Sequence, residues 1–141
     1  MKKSLLSIFF SISIIGISLA QNNKMLQGVW KLHKSKDANG TEIGVPPVFY
    51  KFFQIDGKFT NLALRQNGLV ASHKGEFVLN NKNNTYIENI HIAEKHETAP
   101  IASKNTLKIL FSEDKKSITL EGLIDVHGGK HALYEVWTKV D

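Results

Sequence analysis

The stretch NTLKILFSEDKKSITLEGLIDVHGGKHALYEVWTK, Asn105–Lys139, decides the fold. Apolar and polar residues alternate through three runs, the period of a half-buried β-strand. Two turn signals separate the runs, Glu113-Asp114-Lys115-Lys116 and Gly128-Gly129. A two-residue turn on Asp114-Lys115 sets Phe111 opposite Ile118 and Ile109 opposite Leu120. A turn on Gly128-Gly129 sets Leu133 opposite Ile124, Glu135 opposite Gly122, Trp137 opposite Leu120 and Lys139 opposite Ile118. Directly opposed residues share a face of the sheet. Both hairpins therefore select one interior: Leu107, Ile109, Phe111, Ile118, Leu120, Ile124, Leu133 and Trp137.

The same reading extends toward the N-terminus. Alternating runs are expected near 27–36, 48–55, 58–66, 69–79, 85–94, 105–112, 117–126 and 131–140, with no sustained helical period. Asp56-Gly57, Asn67-Gly68 and the polar Asn80–Asn84 supply the remaining turns. Eight hairpin-linked strands predict an all-β, antiparallel up-and-down barrel, which leaves no open edge. An open sandwich is the alternative. Around Asn67-Gly68 the pairing logic faces Leu62, Leu64, Ala71, His73, Phe77 and Leu79 inward. A two-residue turn at Asp56-Gly57 would send Phe52 and Phe59 outward together. A three-residue bulged turn would reverse strand 48–55, and the sequence leaves that choice open.

The first 20 residues read as an address. Lys2 and Lys3 precede the apolar run Leu5–Ile17, and Ser18-Leu19-Ala20 offers small residues to a signal peptidase. This is the three-part pattern of a secretory signal peptide, too short to span a bilayer. The expected mature domain is 21–141, exported to the periplasm or the medium, with no membrane attachment after cleavage. The 141 residues allow one domain. Losing Lys2 and Lys3 removes two of the five net positive charges, and the remaining Lys side chains are not clustered, so a nucleic-acid partner is not expected. The chain has no Cys, which excludes a disulfide scaffold, a thiolate zinc site and an acylated lipoprotein Cys.

Loop lengths give the barrel a polarity. In a meander, the connections 37–47, 67–68, 95–104 and 127–130 share one end. The connections 56–57, 80–84 and 113–116 share the other with both termini. The longer loops, carrying Gly44-Val45-Pro46-Pro47 and Thr98-Ala99-Pro100, predict an open, functional mouth over a closed base.

Gly28-Val29-Trp30 opens the first strand and Trp137-Thr138-Lys139 closes the last. This pattern resembles the lipocalin, or calycin, family. There a Gly-x-Trp seats its indole across the barrel base under a cationic side chain from the last strand. The resemblance places those roles on Gly28, Trp30 and Lys139, with Lys where the family typically has Arg. The chain is also similar to secreted bacterial lipocalin-like domains of unknown function. Leu26-Gln27-Gly28-Val29-Trp30, Asp56-Gly57-Lys58-Phe59, Tyr86-Ile87-Glu88 and Tyr134-Glu135-Val136-Trp137 carry that likeness, over essentially all of 21–141. It implies a fold and not a ligand.

An eight-stranded barrel is filled by side chains or holds one small ligand. The expected partner is a small apolar or amphipathic molecule. Phe77, Leu107, Ile109, Leu120 and Trp137 would form its walls, and His73, Tyr86, Glu88 and Glu135 its polar contacts. Glu135 is expected beside Gly122, where a missing side chain leaves room. Inward charges are costly unless paired or hydrated, so a structural hydrogen-bond network involving Glu135 competes with ligand contact. Nothing in the sequence fixes the separation of Glu88 and Glu135, and no catalytic residue is assigned. The six His residues, including His91, His96, His127 and His131, lack a ligand motif, so no metal or cofactor is expected. Arg65 is the only Arg, which disfavours phosphate recognition by an Arg cluster. Asn83-Asn84-Thr85 fits a glycosylation acceptor and equally a polar turn. The alternative function is a solid-cored interaction module of the cell envelope, monomer or weak homodimer, using an outward Phe52 and Phe59 patch.

Overall fold

A computed structural model describes residues 21–93, 103–126 and 128–141. The expected signal peptide 1–20, most of the 95–104 connection with His96 and Thr98-Ala99-Pro100, and His127 lie outside these residues. The strands are β1 (Gly28–Lys36), β2 (Glu42–Ile43), β3 (Phe49–Phe53), β4 (Lys58–Arg65), β5 (Gly68–Asn80), β6 (Thr85–Ala93), β7 (Ser103–Phe111), β8 (Ser117–Val126) and β9 (Gly129–Lys139). Each long strand pairs antiparallel with the next, and β1 also pairs with β9, closing an eight-stranded barrel. The expected eight strands are all present. The short β2 is an addition, hairpinned onto the top of β1 through Ser35↔Ile43.

A helical turn at 21–26 closes the base. Leu26 is fully buried, and its carbonyl accepts the Trp30 indole N–H at 2.7 Å. The side-chain amides of Asn22 and Asn23 donate to the carbonyls of Leu79 and Ile55, tying the turn to the strand ends above it. Lys139 Nζ lies 5.5 Å from the centre of the buried Trp30 ring. The Lys139 stem also covers Gly28, where a Cβ would meet Lys139 Cε at 3.3 Å.

The interior selected by the C-terminal hairpins is observed. Leu107, Ile109, Ile118, Leu120 and Trp137 are buried, and Phe111, Ile124 and Leu133 pack against them. Phe111↔Ile118 and Ile109↔Leu120 pair as expected. The β8–β9 register is corrected by two residues. Glu135 faces Leu120, Trp137 faces Ile118, and Gly122 faces Leu133. The turn closes at Val126↔Gly129 because Gly128, at φ +79°, takes the left-handed position and Gly129 is already in the strand. Moving a two-residue turn by one position shifts partners by two, so every side chain keeps its face. Glu135 still points inward, but Gly122 is not its neighbour across the strand.

The β3–β5 region departs further. Ser72 is an extra residue between the pairs Leu62↔Ala71 and Asn61↔His73, and it is buried. This bulge resets the alternation of β5. His73, Phe77 and Leu79 face inward as expected. Leu62, Leu64 and Ala71 do not; Leu64 is 52% exposed, and Ala63 fills the interior position. The β3–β4 connection is a three-residue turn. Gln54 N–H donates to the Lys58 carbonyl at 2.8 Å, Gly57 N–H donates to the Gln54 carbonyl, and Gly57 sits at φ +84°. Phe53 therefore opposes Phe59, and both are buried. Phe52 alone turns outward. The outward pairing of Phe52 with Phe59 is overturned, and with it the aromatic patch that favoured an interaction module.

Candidate functional site

The lower half of the lumen is packed with aromatic and aliphatic side chains. Phe53 and Phe77 pack edge-on at 5.0 Å, and Tyr86 stacks on Phe77 at 6.2 Å. Leu79 and Ile109 complete this layer, so Phe77, Tyr86 and Ile109 are core rather than cavity wall.

Above this layer, toward the mouth, lies a cavity of about 140 Å³. Phe49, Ile90, Leu107, Leu120, Ile124, Leu133 and Trp137 supply apolar wall. Lys51, Asn61, His73, Glu88, Asn105 and Glu135 supply the polar groups. Six expected site residues come together here: His73, Leu107, Leu120, Trp137, Glu88 and Glu135. Lys51, Asn61 and Asn105 join them without having been expected from the sequence. The sheet register explains their grouping. Lys51 pairs with Asn61, Asn61 with His73, and Glu88 with Asn105, so polar side chains from neighbouring strands lie at one level. Asn105 was within reach of sequence reasoning, two residues before the inward Leu107. Lys51 and Asn61 depended on the facing of β3 and β4.

Glu88 is the centre of a closed network. Its carboxylate accepts Lys51 Nζ at 3.0 Å, the Tyr86 hydroxyl at 2.9 Å and the Asn105 amide at 3.4 Å. Burial pushes this carboxyl up, but the charge of Lys51 and the three donated hydrogen bonds outweigh it and hold it below the ordinary range. The Tyr86 phenol is driven well above its ordinary value by burial first and then by Glu88. The Lys51 ammonium is boxed by the rings of Phe53, Phe59, Tyr86 and Trp137, each centred 5.1–5.8 Å away.

Glu135 sits in a different environment. Its carboxylate accepts the Trp137 indole N–H at 2.9 Å and forms no ion pair among the described residues. Burial raises its carboxyl above the ordinary value, Lys51 and the Trp137 bond offset this only in part, and Glu88 adds to it. Two further acceptors, Asn61 Oδ1 and Asn105 Oδ1, belong to residues of the cavity wall and are buried without a donor among the described residues. The buried hydrogen-bond network is thus centred on Glu88, while Glu135 accepts one bond from Trp137.

Residues 25–141 match the family described as a domain of unknown function, DUF4488. The chain belongs to the DUF4488 family. No curated protein matches it. Among solved structures, this DUF4488 chain is similar to an uncharacterized protein from Bacteroides eggerthii DSM 20697, known from a crystal structure. The likeness is 16% in sequence at a TM-score of 0.50, over 77% of this chain and 98% of that one. At that identity it speaks for the barrel fold. The DUF4488 barrel thus joins a packed lower core to a small polar-lined cavity at its long-loop end.

Proposed function

We propose that this protein is an exported lipocalin-like barrel that binds one small, partly apolar molecule in the upper lumen. The carrying observation is the cavity, whose lining includes the Glu135 carboxylate and two asparagines whose buried side-chain oxygens have no donor among the described residues. A buried carbonyl without a donor is destabilising, and a ligand or bound water supplies what the protein does not. The size suits a small guest: a void of about 150 Å³ in an apolar core admits benzene. Long loops at the mouth and a sealed base suit entry from one side. The Gly28, Trp30 and Lys139 arrangement at the base agrees with the lipocalin resemblance, and export rests on the 1–20 pattern. Binding is favoured over hydrolysis by the carboxylates themselves. Glu88 is occupied by three donors, and an acid–base pair needs both groups accessible to substrate.

Native mass spectrometry of the protein exported from a bacterial host tests this reading. A reproducible extra mass that leaves on denaturation is the expected result. A crystal structure with the upper lumen filled by its own side chains overturns it.

A further inference from the structure

We propose that the guest is a small organic cation, a primary ammonium on a short apolar stem. The inference rests on the lumen-binding reading above and adds the chemical class. It follows from the balance of donors and acceptors around the cavity.

The cavity's lysine is already committed. Lys51 Nζ lies 3.0 Å from Glu88 Oε2 and is enclosed by four aromatic rings. Glu88 is equally committed, since it takes donors from Lys51, Tyr86 and Asn105. The Asn105 amide nitrogen points at Glu88, so its carbonyl oxygen is turned away and has no donor among the described residues. Asn61 Oδ1 is in the same state. Both asparagines are more than nine-tenths buried, Asn105 at 4% and Asn61 at 8% exposure. Glu135 adds a carboxylate that accepts one indole N–H, with no cation paired to it among the described residues.

The residues lining the cavity therefore hold three acceptor groups short of donors: the Glu135 carboxylate and, buried in the wall, the carbonyls of Asn61 and Asn105. An ammonium offers three N–H donors and no acceptor. It also brings the positive charge that Glu135 lacks. With both carboxylates ionised, the described lining sets two glutamates against one lysine and His73, and Lys51 is already paired with Glu88, so nothing there favours an anion. A purely apolar guest would leave all three acceptors without further donors. The Trp137 and Phe49 rings, 5.7 Å apart, flank the same space and favour a cation over a neutral group. Ile90, Ile124 and Leu133 line the rest and suit a stem of a few carbons.

The test uses three probes that share a four-carbon stem: n-butylammonium, 1-butanol and butyrate. Each is titrated into the exported protein while the Trp137 indole and the Asn61 and Asn105 side-chain amides are followed by NMR. Butylammonium is expected to shift these signals and to bind at least about tenfold more tightly than 1-butanol, with butyrate weakest, as a charge-assisted contact requires. Glu135→Gln should weaken butylammonium by about tenfold or more and leave 1-butanol within about threefold. If 1-butanol binds as tightly as butylammonium, or butyrate more tightly, the cation inference falls and the lumen reading survives. If none of the three moves the lumen signals, both fall. The three-probe comparison on the wild-type protein decides the matter even where the variant folds poorly.

Discussion

Lys51→Met isolates the energetics on which the site is built. Lys51 and Glu88 are 3% and 8% exposed and 3.0 Å apart. Removing the ammonium leaves the Glu88 carboxylate buried with two neutral donors, Tyr86 and Asn105. Breaking one side of a buried pair costs about 3–5 kcal/mol. That is a large share of the roughly 5–15 kcal/mol that holds a domain folded. With a urea slope of about 1–3 kcal/mol/M, the unfolding midpoint should fall by on the order of 2 M at unchanged slope. Tryptophan fluorescence reads the transition directly, since Trp137 packs on the altered site. The effect has a pH signature. In the native protein Glu88 is held below its ordinary value, so its contribution is complete above that value and is lost as pH falls through the lowered one. Without Lys51, burial prevails and raises the carboxyl. The variant should then gain stability on acidification from neutral pH, the opposite sign. Lys51→Met combined with Glu88→Leu should recover most of the loss, because an apolar pair leaves no buried charge. Lys108→Met is the control, because its pair with Glu121 at 2.9 Å is exposed and worth under about 1 kcal/mol. A loss of under about 1 kcal/mol in Lys51→Met would refute the reasoning, since it would mean that the pair behaves as a solvated one.

Glu135 is raised, so the folded state binds its proton before the unfolded state does. Its ionisation costs stability above the raised value, and the cost disappears as pH falls toward the ordinary value of 4.5. Denaturant titrations across that window should show the wild type gaining relative to Glu135→Gln on acidification, with the variant the more stable at neutral pH. Phe59→Ala should cost about 3–5 kcal/mol, and Phe52→Ala under about 1 kcal/mol, in parallel urea melts. Equal losses would contradict their opposite facing. Gly75→Ala should destabilise by about 1–3 kcal/mol or more in thermal unfolding, because its Cβ would overlap the Asn89 carbonyl on β6. A neutral outcome would mean that β5 and β6 do not approach so closely there.

The site was legible where alternation runs unbroken. On β6 through β9, one correct face carried Glu88, Leu107, Leu120, Glu135 and Trp137 inward together, and a two-residue register error left them there. It was illegible where one extra residue resets the alternation. Ser72 does this within β5 and the Gly57 turn does it between β3 and β4, so Leu62, Leu64 and Phe59 were misplaced. Lys51 and Asn61 were hidden by the same parity. Charged and amide side chains on a strand ordinarily mark its solvent face, and only the facing of Phe53 and Phe59 shows that theirs is the lumen.

Local rules suffice for a meander of eight hairpin-linked strands, the order of their pairing along the chain, and the polarity of loops and termini. Alternation within a strand and turn chemistry between strands dictate each of these, wherever the chain ends up in space. Where the lumen is solid, where it is open, and which acid is paired are matters of tertiary structure. Glu88 and Glu135 are the same residue type on the same inner face. One is ion-paired with Lys51 from β3, and the other accepts a hydrogen bond from Trp137 of its own strand and has no ion pair among the described residues. That difference depends on side chains from strands distant in the chain arriving at one level of the barrel, and no local rule carries it.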